Sequence, residues 1–268
     1  MNYGFKLPTI TPDNYVLGKL GVTKRILNPE RDWFSFLPLG EIQKRNIETA
    51  SCTEYGTLNA IEILENRQFS KKSNYSERFV AIGAKNTEDG NDPHTVAEWI
   101  RHNGLVNEQD LPFTDQIKSW QDYISPNLSP NLILKALQWL KQNLFKHEWV
   151  FENNVSLEQK QLKLLEALQY SPIGVSVNAW YQENDIYVKR PGSLDNHWTV
   201  LIAGKQNQPW TVYDSYLDDG QYIKKLDWNY DFQFAKLYVI STLQQKTFIY
   251  YLKRYWEELS KKILGRII

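Results

Sequence analysis

Cysteine is almost absent from this chain, since Cys52 is the only one among 268 residues. One cysteine cannot form a disulfide within the chain, which is typical of proteins kept in a reducing compartment. It also argues against a cysteine-rich zinc site, and the four histidines are scattered, so we expect no metal ion and no other cofactor. The thiol is then either a small buried hydrophobe or a reactive group.

An excess of charge of one sign is also lacking, because 31 Lys and Arg residues balance 31 Asp and Glu residues. This balance gives no reason to expect a nucleic-acid partner. No apolar run is long enough to span a membrane, and residues 1–18 lack the basic start and apolar run of a signal peptide. We therefore expect a cytoplasmic protein, or one associated with a virion or released without a signal sequence. Nothing in the sequence indicates an oligomeric state.

What the chain does contain is the composition of a well-packed globular protein. Hydrophobic residues make up 42% and aromatic residues 14% of the sequence. The aromatic share is high and supplies large side chains for a core. A length of 268 residues is enough for one large domain or for two lobes that share an interface.

Helical patterns dominate the first half of the chain. Ser51 and Glu54 have the spacing of a capping box, and an apolar stripe at helical spacing follows, which predicts a helix over residues 51–66. An Asp-Pro start and a glycine stop predict a second helix over residues 92–104. Two further helices are predicted, over residues 132–144 and 157–168.

Strand patterns dominate the second half, where apolar residues alternate or form short continuous runs. Strands are predicted over residues 173–179, 186–189, 198–203, 209–213 and 234–240. This order indicates an α+β protein with a helical lobe followed by a strand-rich lobe. We divide the chain into an N-terminal arm (1–31), a helical lobe (32–150), a strand-rich lobe (151–243) and a C-terminal amphipathic helix (244–268).

The two ends of the chain have distinct patterns. The N-terminal arm contains three prolines and little periodicity, which indicates an extended segment on the domain surface. The C-terminal segment has an apolar stripe opposite a charged face. Packing of this helix on the domain is favoured over binding to a membrane surface or to a partner.

Cys52 falls in the first turn of the helix predicted over residues 51–66. The backbone N–H groups at a helix start have no acceptor within the helix, and the helix dipole is positive there. Both effects stabilise a thiolate, which is the nucleophilic form of cysteine. The position therefore favours a reactive thiol, although a free cysteine taken alone is more often structural.

His197 and Asp214 are the candidate partners of this thiol. His197 opens an apolar strand, so its side chain can face a cleft while its backbone is held rigidly. Asp214 ends the next predicted strand, and an antiparallel pairing of the two strands would bring its carboxylate beside the imidazole. The structural alternatives are a histidine bonded inside the fold and an aspartate that only starts a turn.

The order of these residues and several flanking segments resemble the papain-like cysteine peptidase superfamily. Similar segments lie around Asp32-Trp33, from Asn46 to Cys52, over residues 98–113 and 171–177, at Asn196-His197 and at Asp214-Ser215-Tyr216. The agreement runs from about residue 32 to about residue 217. The resemblance indicates a divergent member of intracellular or viral origin, from a bacterium or a phage.

The resemblance implies a two-lobed fold, with the active-site cleft between a helical lobe and an antiparallel, barrel-like lobe. It implies hydrolysis of a peptide or protein substrate through an acyl-enzyme on Cys52, with His197 as base and Asp214 as its orienting carboxylate. The oxyanion would be bound by the Cys52 backbone N–H and the side-chain amide of Asn46. Gly90 and Asn91 would pair with the backbone of the substrate.

The sequence also departs from the family pattern. Asn46 stands where the family has Gln, Asp214 where it usually has Asn, and Gly90-Asn91-Asp92 where it has a Gly-Gly pair. Two alternatives therefore stay open. One is another thiol acyl-transfer enzyme, either transglutaminase-like or a cell-wall amidase, and the other is an inactive papain-fold protein with a binding or virion role.

Overall fold

The computed structural model describes residues 3–11, 16–17, 25–152, 154–217 and 220–242. The helix predicted over residues 244–268 lies outside these residues, as does part of the predicted N-terminal arm. The division of the chain into lobes at residues 31, 150 and 243 stays a prediction. Within the described residues, no helix is both long and apolar enough to cross a membrane.

Six α-helices occur in the described part of the chain, five of them before residue 143. In order they are α1 (Cys52–Phe69), α2 (Glu77–Gly83), α3 (Pro93–Asn103), α4 (Trp120–Ile124), α5 (Pro130–Gln142) and α6 (Leu157–Ala167). The predicted helices over residues 51–66, 92–104 and 157–168 are confirmed, with small changes at their ends.

Side-chain capping explains the start of each of these helices except α1. The Asp92 side chain accepts hydrogen bonds from the backbone N–H groups of His94 and Thr95 at the start of α3. Ser156 and Gln159 form a complete capping box on α6. The capping box predicted for α1 is wrong, because Ser51 makes no side-chain cap and its hydroxyl donates to the Thr49 carbonyl instead.

Eight strands form one sheet in the order β1-β8-β2-β5-β6-β7-β4-β3. The pairing is antiparallel except between β4 and β7. Their bounds are β1 (Asn143–Trp149), β2 (Ile173–Val177), β3 (Gln182–Glu183), β4 (Ile186–Tyr187), β5 (His197–Ala203), β6 (Trp210–Tyr213), β7 (Ile223–Leu226) and β8 (Ala235–Thr242). The strands predicted from apolar patterns correspond to β2, β4, β5, β6 and β8.

Strand β1 corrects two predictions. The helix predicted over residues 132–144 ends at Gln142, and the polar segment around His147, where no strand is predicted, is a strand paired with β8. Its polar residues misled the prediction, because His147 is buried and contacts charged side chains of α3 and β8. His147 Nε2 lies 2.9 Å from Glu98 Oε1, and His147 Nδ1 lies 3.4 Å from the buried Lys236 ammonium.

Helix α1 packs on the sheet at β5, and this contact positions the candidate site. Gly56 allows the close approach, because a Cβ atom there would lie 2.7 Å from Cδ1 of Trp198. The packing brings the N-terminus of α1, where Cys52 lies, to the start of β5, where His197 lies.

Candidate active site

Cys52 is the first residue of α1, as the sequence predicts, but its side chain is completely buried. It belongs to an apolar cluster with Phe5, Val16, Trp149, Trp198 and Phe234. Burial raises the pKa of the Cys52 thiol well above its ordinary value. The nearby carboxylates of Glu54, Asp214 and Glu48 raise this pKa further, while a backbone hydrogen bond from Trp198 partly opposes the shift. The thiol is therefore held in its neutral form.

His197 and Asp214 are brought together by antiparallel pairing of β5 and β6, in which Val200 lies opposite Tyr213. The His197 Nε2 to Asp214 Oδ1 distance is 2.6 Å, and both side chains are buried. An ionised carboxylate accepts, so Nε2 carries the proton in this bond. Nδ1 of His197 has no hydrogen-bond partner among the described residues. This nitrogen is thus available as the acceptor of another proton.

Aromatic rings surround the His197 imidazole. Trp180, Tyr216 and Tyr3 pack against it edge to face, with ring centroids 5.6–5.8 Å apart. These rings exclude water and hold the orientation of the imidazole.

Lys224 is a residue of the site that sequence analysis missed. Two successive lysines are typical of a solvated surface, but Lys224 is only 2% exposed. Its ammonium lies 3.3 Å from Asp214 Oδ2 and donates to the Tyr216 and Gln221 carbonyls. Alternation along β7 is the only sequence signal that could have found it, because Lys224 faces inward and Lys225 outward.

Asn46 is not at the site. Its side chain is exposed and donates to the Asp115 carbonyl at 2.8 Å. A different amide, that of the fully buried Gln43, bonds to Ser215, the neighbour of Asp214, and to Tyr3, whose ring packs on His197. Its Oε1 accepts from the Ser215 hydroxyl at 3.0 Å, and its Nε2 donates to Glu48 Oε1 and to the Tyr3 carbonyl, each at 3.1 Å. Gln43 thus donates an N–H group to the backbone carbonyl of the residue whose ring packs on His197.

Gly90 and Asn91, the predicted substrate-binding residues, contact the N-terminal arm through their backbone. Asn91 N–H donates to the Gly4 carbonyl at 3.0 Å, and Lys6 N–H donates to the Asn91 carbonyl at 2.9 Å. Gly90 has φ +89°, and a Cβ atom there would lie 1.8 Å from the Gly4 oxygen. Only glycine permits this approach of the two backbones.

Residues 3–11 of the arm contact the candidate residues His197 and Cys52 as well as pairing with Asn91. Tyr3 N–H donates to the Asn196 carbonyl, and the Tyr3 ring contacts His197. Phe5 stacks on Trp198 with ring centroids 5.7 Å apart and is buried in the same cluster as Cys52. The sequence predicted an arm on the domain surface, and its placement over the candidate nucleophile and base could not be read from the sequence.

The arrangement offers the parts of nucleophilic catalysis by a thiol. These are a sulfur at a helix N-terminus, an imidazole with one accepting nitrogen, a carboxylate on its other nitrogen and an amide donor. Among the described residues, no three His, Cys, Asp or Glu side chains are grouped so that they could hold a metal ion.

Comparison with solved structures shows which fold this is. Xylellain, a cysteine protease from Xylella fastidiosa, superposes with a TM-score of 0.62 at 15% identity, over 91% of this chain and 97% of that one. Bromelain from Ananas comosus, solved with the E64 inhibitor, gives a TM-score of 0.57 at 15% identity over 78% and 97% of the two chains. Procathepsin L 3 from the larval midgut of Tenebrio molitor gives 0.55 at 16% identity over 89% and 76%.

No protein-family model matches the sequence, and no curated protein sequence is similar to it. The likeness is therefore one of structure alone. The chain has the two-lobed α+β fold of papain-like cysteine proteases, as the sequence resemblance predicts.

Proposed function

We propose that this chain is a cysteine peptidase in which Cys52 is the nucleophile, His197 the general base and Asp214 the carboxylate that orients it. The observation that carries the proposal is the 2.6 Å bond between His197 Nε2 and Asp214 Oδ1. This bond leaves His197 Nδ1 without a hydrogen-bond partner and so able to accept a proton. His197 also precedes Trp198, whose backbone hydrogen-bonds to the Cys52 thiol. The papain-like fold supports the same assignment.

The reaction follows from the roles of these groups. His197 Nδ1 takes the thiol proton, and the sulfur forms a bond to the carbonyl carbon of the peptide. The electron pair of the carbonyl moves to its oxygen, which the amide of Gln43 and the backbone N–H of Cys52 stabilise. Collapse of this intermediate expels the amine, which takes the proton from His197. Water, deprotonated by His197, then hydrolyses the thioester and restores the thiol.

The proposal also includes Gly90 and Asn91 as the segment that pairs with the substrate backbone. The support is that the Asn91 N–H and carbonyl both bond to an extended segment of the arm. A substrate peptide would use the same two groups, so it would have to replace the arm.

A second candidate function is a binding protein with this fold and no catalysis. The complete burial of Cys52 and His197 beneath the arm favours it. The two candidates differ in turnover of peptides. We expect the full chain to cleave members of a fluorogenic peptide library and Cys52→Ala to cleave none while its circular dichroism spectrum is unchanged. No cleavage by either protein, even after the arm is displaced, would favour the binding role. Equal cleavage by both proteins would show that Cys52 is not the nucleophile.

A further inference from the structure

Asp214 shares its two carboxylate oxygens between a histidine and a lysine. Oδ1 accepts from His197 Nε2 at 2.6 Å and from the Ser215 backbone N–H at 3.0 Å. Oδ2 lies 3.3 Å from the Lys224 ammonium. At most 1% of any of the three side chains is exposed, so water screens none of these charges.

The fold holds Lys224 in this place from two sides. In the pairing of β6 and β7, Lys224 lies opposite Val212, and Asp214 N–H donates to the Tyr222 carbonyl. The Lys224 ammonium also donates to the Tyr216 carbonyl at 2.7 Å and to the Gln221 carbonyl at 2.9 Å. The lysine is thus directed at Asp214 by backbone contacts that would remain if the carboxylate were replaced.

A buried lysine changes what the carboxylate does to the imidazole. An isolated buried carboxylate favours the charged imidazolium strongly, and an isolated buried ammonium disfavours it. The paired charges of Asp214 and Lys224 cancel, so that His197 keeps a hydrogen-bond acceptor without a net charge behind it. A neutral amide at position 214 would also accept from His197 without adding a net charge, and it would need no lysine beside it.

We propose that Lys224 is a positioning residue of the candidate active site, which neutralises Asp214 and so sets the pH range over which His197 and Cys52 exchange a proton. This inference rests on the proposed function for its purpose, but the charge pairing itself can be tested on the thiol. Other titratable groups near the imidazole also influence its protonation, and the variants compared in the test leave those groups unchanged. The groups are Cys52 and Glu48 from the α1 side and the phenols of Tyr3 and Tyr216.

The test is the pH dependence of alkylation of Cys52 by iodoacetamide in the full chain, followed by intact mass. Because Cys52 is the only cysteine, each adduct reports on one site. Lys224→Met leaves one uncompensated negative charge near His197 and should move the profile to higher pH by about one pH unit. Asp214→Asn leaves one uncompensated positive charge and should move it to lower pH by a similar amount.

The double variant Asp214→Asn/Lys224→Met removes both charges, so its profile should return to that of the wild type. A purely structural role for Lys224 would not give shifts of opposite sign that cancel. Lys225→Met, on the outward face of the same strand, is the matched control and should leave the profile in place. Lys224→Arg keeps the charge and should do the same.

The proposal would be overturned if the pH profiles of alkylation coincide in all variants. It would also be overturned if the shifts seen in the two single variants do not cancel in the double variant. If Lys224→Met does not fold, the Asp214→Asn variant and the double variant are compared alone. A shift of the alkylation profile in Asp214→Asn that disappears in the double variant supports the proposal, and a shift that remains contradicts it. Failure of the proposed function is distinguishable, because it would appear as a wild type that cleaves no peptide while the shifts in alkylation remain.

Discussion

Gln43 and Asn46 lie three residues apart and differ completely in their surroundings. Gln43 is buried and donates to the Tyr3 carbonyl, whereas Asn46 is exposed and bonded to Asp115. The family spacing, six positions from the oxyanion amide to the nucleophile, indicated Asn46, whereas we propose Gln43 for that role. Here a Lys44–Glu48 bridge closes the intervening loop, so that an amide nine residues before Cys52 reaches the site.

Replacement of Gln43 by Ala should lower kcat about 100-fold, because one donor to the oxyanion is lost. KM should change little, since the donor acts mainly on the transition state. Asn46→Ala is the matched control and should retain activity close to that of the wild type. The measurement is steady-state hydrolysis of a fluorogenic peptide, and equal losses in the two variants would contradict the assignment of Gln43.

Lys224 shows why buried charges are hard to find from a sequence. Its identity and its charged neighbour are those of a surface pair, and only the pairing of β6 with β7 reveals that it faces Asp214. Cys52, His197 and Asp214 could be proposed from the sequence because a helix start and two strand ends have recognisable local patterns.

The elements with strong periodicity were predicted and the others were not. Apolar stripes and alternation predicted α1, α3, α6 and strands such as β5. Strand β1 was missed because Lys146, His147 and Glu148 make it polar in sequence, although His147 is buried against Glu98 and Lys236. Strand β7 was missed because two of its four residues are lysines, of which one is buried.

The N-terminal arm is the element whose position matters most for access to the thiol. Phe5 pairs with Asn91 in the parallel direction and fills the space between Trp198 and Phe234. The arm thereby uses the backbone groups proposed for the substrate and buries Cys52. We expect the site to react slowly with reagents in solution until the arm moves.

Gly4→Ala should displace the arm and speed the alkylation of Cys52. Gly4 has φ +98°, and a Cβ atom there would lie 2.2 Å from the Ala50 carbonyl oxygen, so that alanine cannot keep the present backbone. Leu7→Ala is the control, because Leu7 is half exposed and lies in the same arm. We expect at least a tenfold rise in the iodoacetamide rate for Gly4→Ala only; an unchanged rate would show that the arm does not limit access.

The stability of the folded chain should depend on pH through the buried carboxyls of the helical region. Burial raises the pKa of Glu54 and Glu108 to about 7 and raises the pKa of Glu77 well above its ordinary value. Such a group binds its proton more tightly when folded than when unfolded. Its contribution to stability is complete below pH 4 or so and is lost as pH rises toward the folded pKa.

Glu77→Gln should therefore weaken the pH dependence of unfolding between pH 5 and 7. Each proton accounts for about 1.4 kcal/mol per pH unit of the slope, and glutamine binds none. Burial lowers the pKa of His147 to about 3, which acts in the opposite sense, so the comparison between variants is the informative quantity. Urea unfolding at pH 5, 6 and 7 measures it, with the exposed Glu30→Gln as control. Parallel slopes for Glu77→Gln and the wild type would contradict the prediction.

Taken together, the helical region and the sheet form one arrangement that brings a thiol, an imidazole and a carboxylate to the start of β5. An epoxide that alkylates thiols only when they are activated tests this arrangement most directly, because Cys52 is the single possible target. We predict one adduct on Cys52 in the arm-displaced Gly4→Ala protein, its loss in Gly4→Ala/His197→Ala, and its retention in Gly4→Ala/His102→Ala. Labelling at an equal rate without His197 would contradict the central claim that this imidazole activates the thiol.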